Sequence, residues 1–294
     1  FIARGKLQVW QRKVARMARH SSRIRLALAM PFGATVMRLL PQVSPFGVIF
    51  VGRSSIGKTL LLVLIGSVLG CVGDGGLPNL GSSLKAIEEM RLGSRDSVTL
   101  LDELGQVLGD PKRVAEFVKA LAFMAGTSRP SDRSGAWEKA TNAAKVDCPT
   151  ILAITSETSA GEVCEQAMAK QLRGQAVRLI DLIAAAEGSV DIFDGSKADA
   201  KIGKNVQARR ETVDKLMRSC REHQGVPHEA FLEALCSDGL DEARRKLKEA
   251  MTDFYQASGD LAAASSVARI GTSFALLYAA ACLAMEYRIL PWGR

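Results

Sequence analysis

"FGVIFVGRSSIGKTLLLVLIGSVLG" (residues 46–70) runs from a short β-rich apolar segment, through a turn with glycines and a lysine, into a second apolar run of helical length. The turn satisfies the spacing GxxxxGK[ST], with Gly52, Gly57, Lys58 and Thr59 at the fixed positions. Glycines there let the backbone curl until successive N–H groups point inward, and the following helix aims its positive end at the same spot. Such a turn is built to hold a phosphate. The pattern predicts that Lys58 reaches the outer phosphates of ATP and that the Thr59 hydroxyl ligates magnesium, with Arg53, Ser54, Ser55, Ile56 and Leu60 completing the cradle.

Working outward, the apolar runs FGVIFV (46–51), SVTLLD (97–102), TILAIT (150–155) and AVRLIDLI (176–183) read as strands. Amphipathic stretches at about 57–70, 82–91, 111–125 and 159–172 read as the helices between them. Strands alternating with helices predict an α/β fold, a P-loop NTPase with a parallel sheet flanked by helices. A small further strand is expected in SVDIF (189–193), and the glycine-rich stretch 71–81 is expected to be an irregular loop. Three sections follow: a basic helical segment over 1–44, an ATPase core over 45–200, and an all-helical lid over 201–294 with turns at GVP (225–227) and Gly239.

Other strand ends offer partners for the phosphate. In VTLLDE, Asp102 is placed to hold magnesium and Glu103 to orient and deprotonate an attacking water. TILAITSET brings Thr155, Ser156 and Glu157 to a third strand end, where a polar side chain would meet the γ-phosphate or the water. Helix capping by Ser156 or Thr158 is the competing reading. Arg173 and Arg178, in KQLRGQAVRLIDL, are candidates for an arginine finger, because in ring-forming ATPases this region faces the neighbouring subunit's nucleotide. Arg173 reads equally as a cation at a helix carboxyl end. Arg178 among apolar neighbours needs either a buried anion or an edge position.

The long segment between the acidic pair and the third strand carries Arg129, Arg133 and Lys139 around Trp137. Cations around an aromatic suit single-stranded DNA, whose bases stack and whose phosphates pair; a core role for Trp137 is the alternative.

Charge is unevenly placed. The formal net charge is +8, yet the first 73 residues hold eleven cations and no acid, and the remainder holds 28 basic against 31 acidic residues. In KLQVWQRKVARMARH, Leu7, Trp10, Val14 and Met17 recur at helical spacing while Arg12, Lys13, Arg16 and Arg19 fall mostly on other faces. That pattern predicts a helix docked by its apolar stripe, its cations left to solvent or to a polyanion. Six dispersed cysteines with no CxxC pair, and three scattered histidines, suggest neither a zinc site nor a disulfide framework, and point to a reducing, cytoplasmic setting. The apolar stretches 60–69 and 274–285 are shorter than a membrane span and read as buried helices. A first residue other than Met is expected of a chain cut from something longer.

Together WQRKVARMARHSSRIRLALAMPFGATVMRLL, GRSSIGKT, LLDELGQ, ITSE, GQAVRLID and VARIGTSFALLYAAACLAMEYRILPW resemble the domain of unknown function 927. Its members are P-loop ATPases similar to superfamily 3 and AAA+ helicases of phage and plasmid replication proteins. The resemblance implies an AAA+-like sheet of strand order 5-1-4-3-2 and ATP with Mg2+ as cofactors. It also implies self-association into a ring, hexameric in that class, that moves on single-stranded or forked DNA, and a primase segment in the same or a neighbouring chain. On this basis Gly52 to Thr59 bind nucleotide, Asp102 and Glu103 form the hydrolytic pair, and Thr155 to Glu157 form the sensing strand end. Arg178 matches the arginine of the GQxVR segment, and Arg269 is a candidate second nucleotide sensor. An ATP-gated module that remodels a protein partner without translocating is the alternative activity.

Overall fold

The computed structural model describes residues 2–73, 77, 83–104, 111–128, 147–168, 173–194, 202, 205–259 and 265–293. Strands β1 (Phe46–Val51), β2 (Val98–Leu101), β3 (Ile151–Ser156) and β4 (Leu179–Ile183) form one parallel sheet in the order β2-β3-β1-β4. Helices occupy Leu7–Lys13 (α1), Ser22–Val36 (α2), Lys58–Leu69 (α3), Leu84–Gly93 (α4), Pro111–Ala125 (α5), Ala160–Gln166 (α6) and Arg173–Ala176 (α7). Four more follow the sheet: Val206–Glu222 (α8), Val226–Asp238 (α9), Leu240–Ser258 (α10) and Ser265–Glu286 (α11).

Every residue of β1, β2 and β3 is buried, which explains why their sequences are continuous apolar runs rather than alternating ones: helices cover both faces. Successive side chains of β1 divide between two clusters. Val48 and Phe50 pack with Ile151, Ala153 and Ile180 and with residues of α2, α3 and α11. Ile49 and Val51 pack with Leu152, Ile154 and Leu179 and with residues of α4, α5 and α6. The strand order agrees with strands 5-1-4-3 of the expected 5-1-4-3-2 arrangement, and the described residues of 71–81 form no strand, as the glycine-rich composition predicts. Of that stretch, 74–76 and 78–81 lie outside the described residues, and 71–73 and 77 belong to no strand.

The amino-terminal helices share the first cluster. Trp10 and Val14 are fully buried, and the Trp10 indole donates to Ser67 Oγ in α3 at 3.1 Å. From the other end of the chain, the Trp292 indole donates to the Ala15 carbonyl at 2.9 Å. Where α2 crosses α11, a Cβ on Gly33 would stand 2.7 Å from Leu277 Cδ2, so glycine sets the close approach.

Three expectations are corrected. SVDIF forms no strand: its groups have partners elsewhere, Ile192 N–H donating to the Ile56 carbonyl at 3.2 Å and Asp191 pairing with Arg209 at 2.6 Å. The helix expected over 159–172 stops at Gln166, where Met168 takes a left-handed φ of 53°. The last apolar helix spans 22 residues rather than twelve, because its start carries serines and an arginine that dilute the apolar signal. By length and composition alone it is long and apolar enough to cross a membrane, yet Ala275, Leu276, Ala279, Ala280, Leu283 and Ala284 are buried, and it packs along α2 and α10.

One buried contact ties stability to pH. His228 Nε2 lies 2.9 Å from Thr35 Oγ1, and burial lowers the His228 pKa. The unfolded chain takes up this proton at about pH 6.5, whereas the folded chain resists it to lower pH. Stability is therefore full above that value and falls as the solution is acidified. The melting temperature is expected to drop between neutrality and acid pH, with a shallower drop in His228→Asn. A residual slope is expected because burial and the Lys13 charge also lower the His223 pKa. An unchanged slope in the variant would remove His228 as the cause.

Candidate nucleotide-binding site

The loop after β1 is anchored by a hydrogen bond from Gly52 N–H to the Ser156 carbonyl at 3.0 Å. It turns back through two left-handed residues, Ser55 (φ 65°) and Gly57 (φ 102°). At Gly57 both demands on glycine coincide: the φ is one that side chains disfavour, and a Cβ would approach Ile192 Cδ1 to 3.0 Å. Arg53, Ser54 and Ser55 are exposed along the outer side, Ile56 is half-buried, and Leu60 is buried in the core.

Lys58 opens α3 and is buried, with 6% of its surface exposed. Its Nζ donates to the Gly52 carbonyl at 2.6 Å and the Arg53 carbonyl at 2.9 Å, so the ammonium spans the loop that precedes it. Thr59, next in the helix, is exposed, its Oγ1 lying 3.3 Å from both carboxylate oxygens of Asp102.

Pairing of Leu101 with Ile154 brings the residues just beyond, Asp102 and Thr155, side by side. Thr155 is fully buried and uses its hydroxyl twice. It donates to Asp102 Oδ1 at 2.5 Å and accepts from Glu103 N–H at 2.8 Å. Glu103 adopts a left-handed φ of 61°, a conformation that costs about 1–2 kcal/mol outside glycine and that concentrates at functional sites. One hydroxyl from β3 thus holds both members of the acidic pair. The neighbouring oxygens of Thr59 and Asp102 are hard donors of the kind magnesium takes, in number that leaves coordination positions for water and phosphate. The donor set and the curled loop together fit Mg2+ and a polyphosphate.

Other expected residues fall differently. Ser156 is buried, and its hydroxyl donates to the Thr158 carbonyl at 2.6 Å and accepts from Thr158 N–H at 3.2 Å. Neither residue caps the next helix. Ser159 does, in a reciprocal pair with Glu162 whose hydrogen bonds hold the Glu162 carboxyl below its ordinary pKa. Glu157 is exposed at the strand end. Arg178 lies away from its own loop: its carbonyl accepts from Gly47 N–H at 2.7 Å, at the start of β1, whereas the loop follows the strand's other end, roughly 15 Å away by strand rise. Arg178 immediately precedes β4, the edge strand, which answers how an arginine is tolerated there. Its side chain lies over Gly126 and lines a cavity of about 280 Å³ with Gln42, Arg269, Thr272 and Ser273. Arg269, the candidate second sensor, therefore stands beside Arg178 rather than over Lys58. Arg129, Arg133, Trp137 and Lys139, and the side chain of Arg173, lie outside the described residues.

Two features of the site have little or no trace in the sequence. Clasping of Gly57 by Ile192 joins segments 135 positions apart with no motif between them. The hub role of Thr155 had a partial signal, a polar residue ending a buried strand.

Residues 1–142 match the model of a domain of unknown function, DUF927. That matched region contains the phosphate loop and the Asp102–Glu103 pair, and stops before β3. A solved structure described as "SCCmec type IV Cch - active helicase" aligns with 100% of this chain and 49% of its own, with a TM-score of 0.72 and 16% identity. The chain thus spans about half the length of that protein, and at this identity the likeness concerns the fold. No curated protein sequence matches.

Proposed function

We propose that the chain is an ATP-hydrolysing motor acting on DNA, the helicase or translocase part of a mobile-element replication protein. The observation that carries this reading is the bonded cluster Thr59–Asp102–Thr155–Glu103 beside a loop whose lysine is buried at its centre. In this reading the N–H groups of residues 53–59 receive the β- and γ-phosphates, Gly52 N–H being held by the Ser156 carbonyl, and Lys58 exchanges the Gly52 and Arg53 carbonyls for phosphate oxygens. Thr59 and Asp102 would hold Mg2+, which when bound would supply charge neutralisation on the phosphate oxygens. Glu103, held by Thr155 through its backbone, accepts the proton of the attacking water.

Arg178 sits too far from its own loop to serve the same nucleotide. It acts on the triphosphate of a neighbouring copy in a ring, which we take to be hexameric. The DUF927 match and the fold shared with a protein described as a helicase support the DNA reading. A primase segment in the same or an adjacent chain is the expected partner.

The test is steady-state ATP hydrolysis with and without single-stranded DNA. Mg2+-dependent turnover stimulated by DNA is expected. Turnover indifferent to nucleic acid would overturn the motor and leave the protein-remodelling module.

A further inference from the structure

Several arginines and lysines of this chain are held in ion pairs. Arg38 pairs with Asp96 and Asp147, Arg209 with Asp191, and Lys246 with Asp238 and Glu286. A different population collects where the segment 12–19 meets α8. Arg12, Lys13, Arg16 and Arg19 are exposed, as are Lys215 and Arg218 on α8, and among the described residues none of the six is held in an ion pair. Between the two segments runs a groove of about 610 Å³ lined by Lys13, Lys215 and Arg218, by the hydroxyl residues Thr212 and Ser219, and by the acid Glu222. The cations outnumber the acid in the lining three to one, and Trp10 and Val14 fix the first segment to the core beneath.

We infer that this groove is a binding track for the phosphodiester backbone of a nucleic acid strand, separate from the nucleotide site. Ammonium and guanidinium groups without protein partners attract phosphates and release the counterions condensed on the strand. The threonine and serine hydroxyls add hydrogen bonds to phosphate oxygens without reading sequence. A groove with an apolar floor edge at Met17 and Ile202 and a cationic rim suits one strand rather than a flat membrane surface. Rigid attachment matters here: the Trp10 indole bonded to Ser67 ties the cationic segment to α3, the helix that starts at Lys58, so strand and nucleotide would engage one body.

The test is fluorescence anisotropy of the full chain with a labelled oligothymidylate, without ATP, over a series of salt concentrations. Leaving ATP out keeps the outcome independent of whether the nucleotide site is catalytic. The triple variant Lys13→Ala, Lys215→Ala, Arg218→Ala is expected to bind on the order of 10- to 100-fold more weakly, with a log–log salt slope shallower by about 2, as the loss of three phosphate contacts on a single strand requires. The exposed triple Lys85→Ala, Arg95→Ala, Lys248→Ala, with the same change in net charge, is expected to keep the wild-type slope. Lys13→Arg with Lys215→Arg should retain binding, showing that charge and not folding is at issue. Equal losses in the two alanine triples, or an unchanged slope in the first, would overturn the inference. So would loss of binding to anionic phospholipid vesicles with oligonucleotide binding intact.

Discussion

Glu103→Gln is expected to reduce steady-state ATP hydrolysis by about 10²–10⁴-fold, the usual contribution of a positioned general base, while ATP binding persists. The substitution keeps side-chain size and removes the carboxylate that, in the proposed mechanism, takes the proton from water. Glu103 N–H still reaches Thr155 Oγ1, because that bond uses the backbone. Asp102 and Thr59 keep their relation, so the proposed Mg2+ position is expected to stay intact. Fluorescent-nucleotide titration and a phosphate-release assay separate the two properties. Loss of binding together with hydrolysis would mean that Glu103 supports the site's architecture instead of its chemistry, and wild-type turnover in the variant would assign the base elsewhere.

Lys58→Ala is expected to act one step earlier. Removing the ammonium deletes the proposed charge-assisted contact to phosphate, worth about 1.5–3 kcal/mol, which corresponds to roughly 10- to 100-fold in ATP affinity. Hydrolysis should fall further, by about 10²–10³-fold, because the same charge is needed more as negative charge develops in the transition state. The Gly52 and Arg53 carbonyls, which Lys58 now engages, lose that donor. Lys58→Arg is not expected to restore activity, since a planar fork replaces a compact charge inside a narrow loop. Titration of labelled ATP against both variants checks this, and full affinity in Lys58→Ala would show that the loop does not cradle the phosphates.

Much of the fold was legible because it depends on local signals. The run 46–51 is a strand to the residue in the structure, and 111–125 is a helix with the same limits, since both are bounded by turn residues and have a clear apolar pattern. Gly52, Gly57, Lys58 and Thr59 were legible for the same reason: a short spacing encodes the whole turn. Asp102 and Glu103 were legible from a strand end, but their fixation was not, because Thr155 comes from another strand 52 positions beyond Glu103. SVDIF shows the opposite failure. Its composition is that of a strand, and long-range partners, Arg209 for Asp191 and Ile56 for Ile192, override it. The resemblance makes Arg269 a candidate second nucleotide sensor, and the path of α11 sets it beside Arg178. The cap of α6 at Ser159 was within reach of the sequence, since Ser159 and Glu162 have the capping-box spacing.

A crystal structure of the chain with Mg2+ and a non-hydrolysable ATP analogue tests the central claim most directly. The predicted result has Lys58 Nζ turned from the Gly52 and Arg53 carbonyls onto the outer phosphates, Thr59 and Asp102 flanking the metal, and Glu103 facing the γ-phosphate. A nucleotide bound away from residues 52–59, or Lys58 still closed on its loop with Asp102 far from the metal, would contradict it.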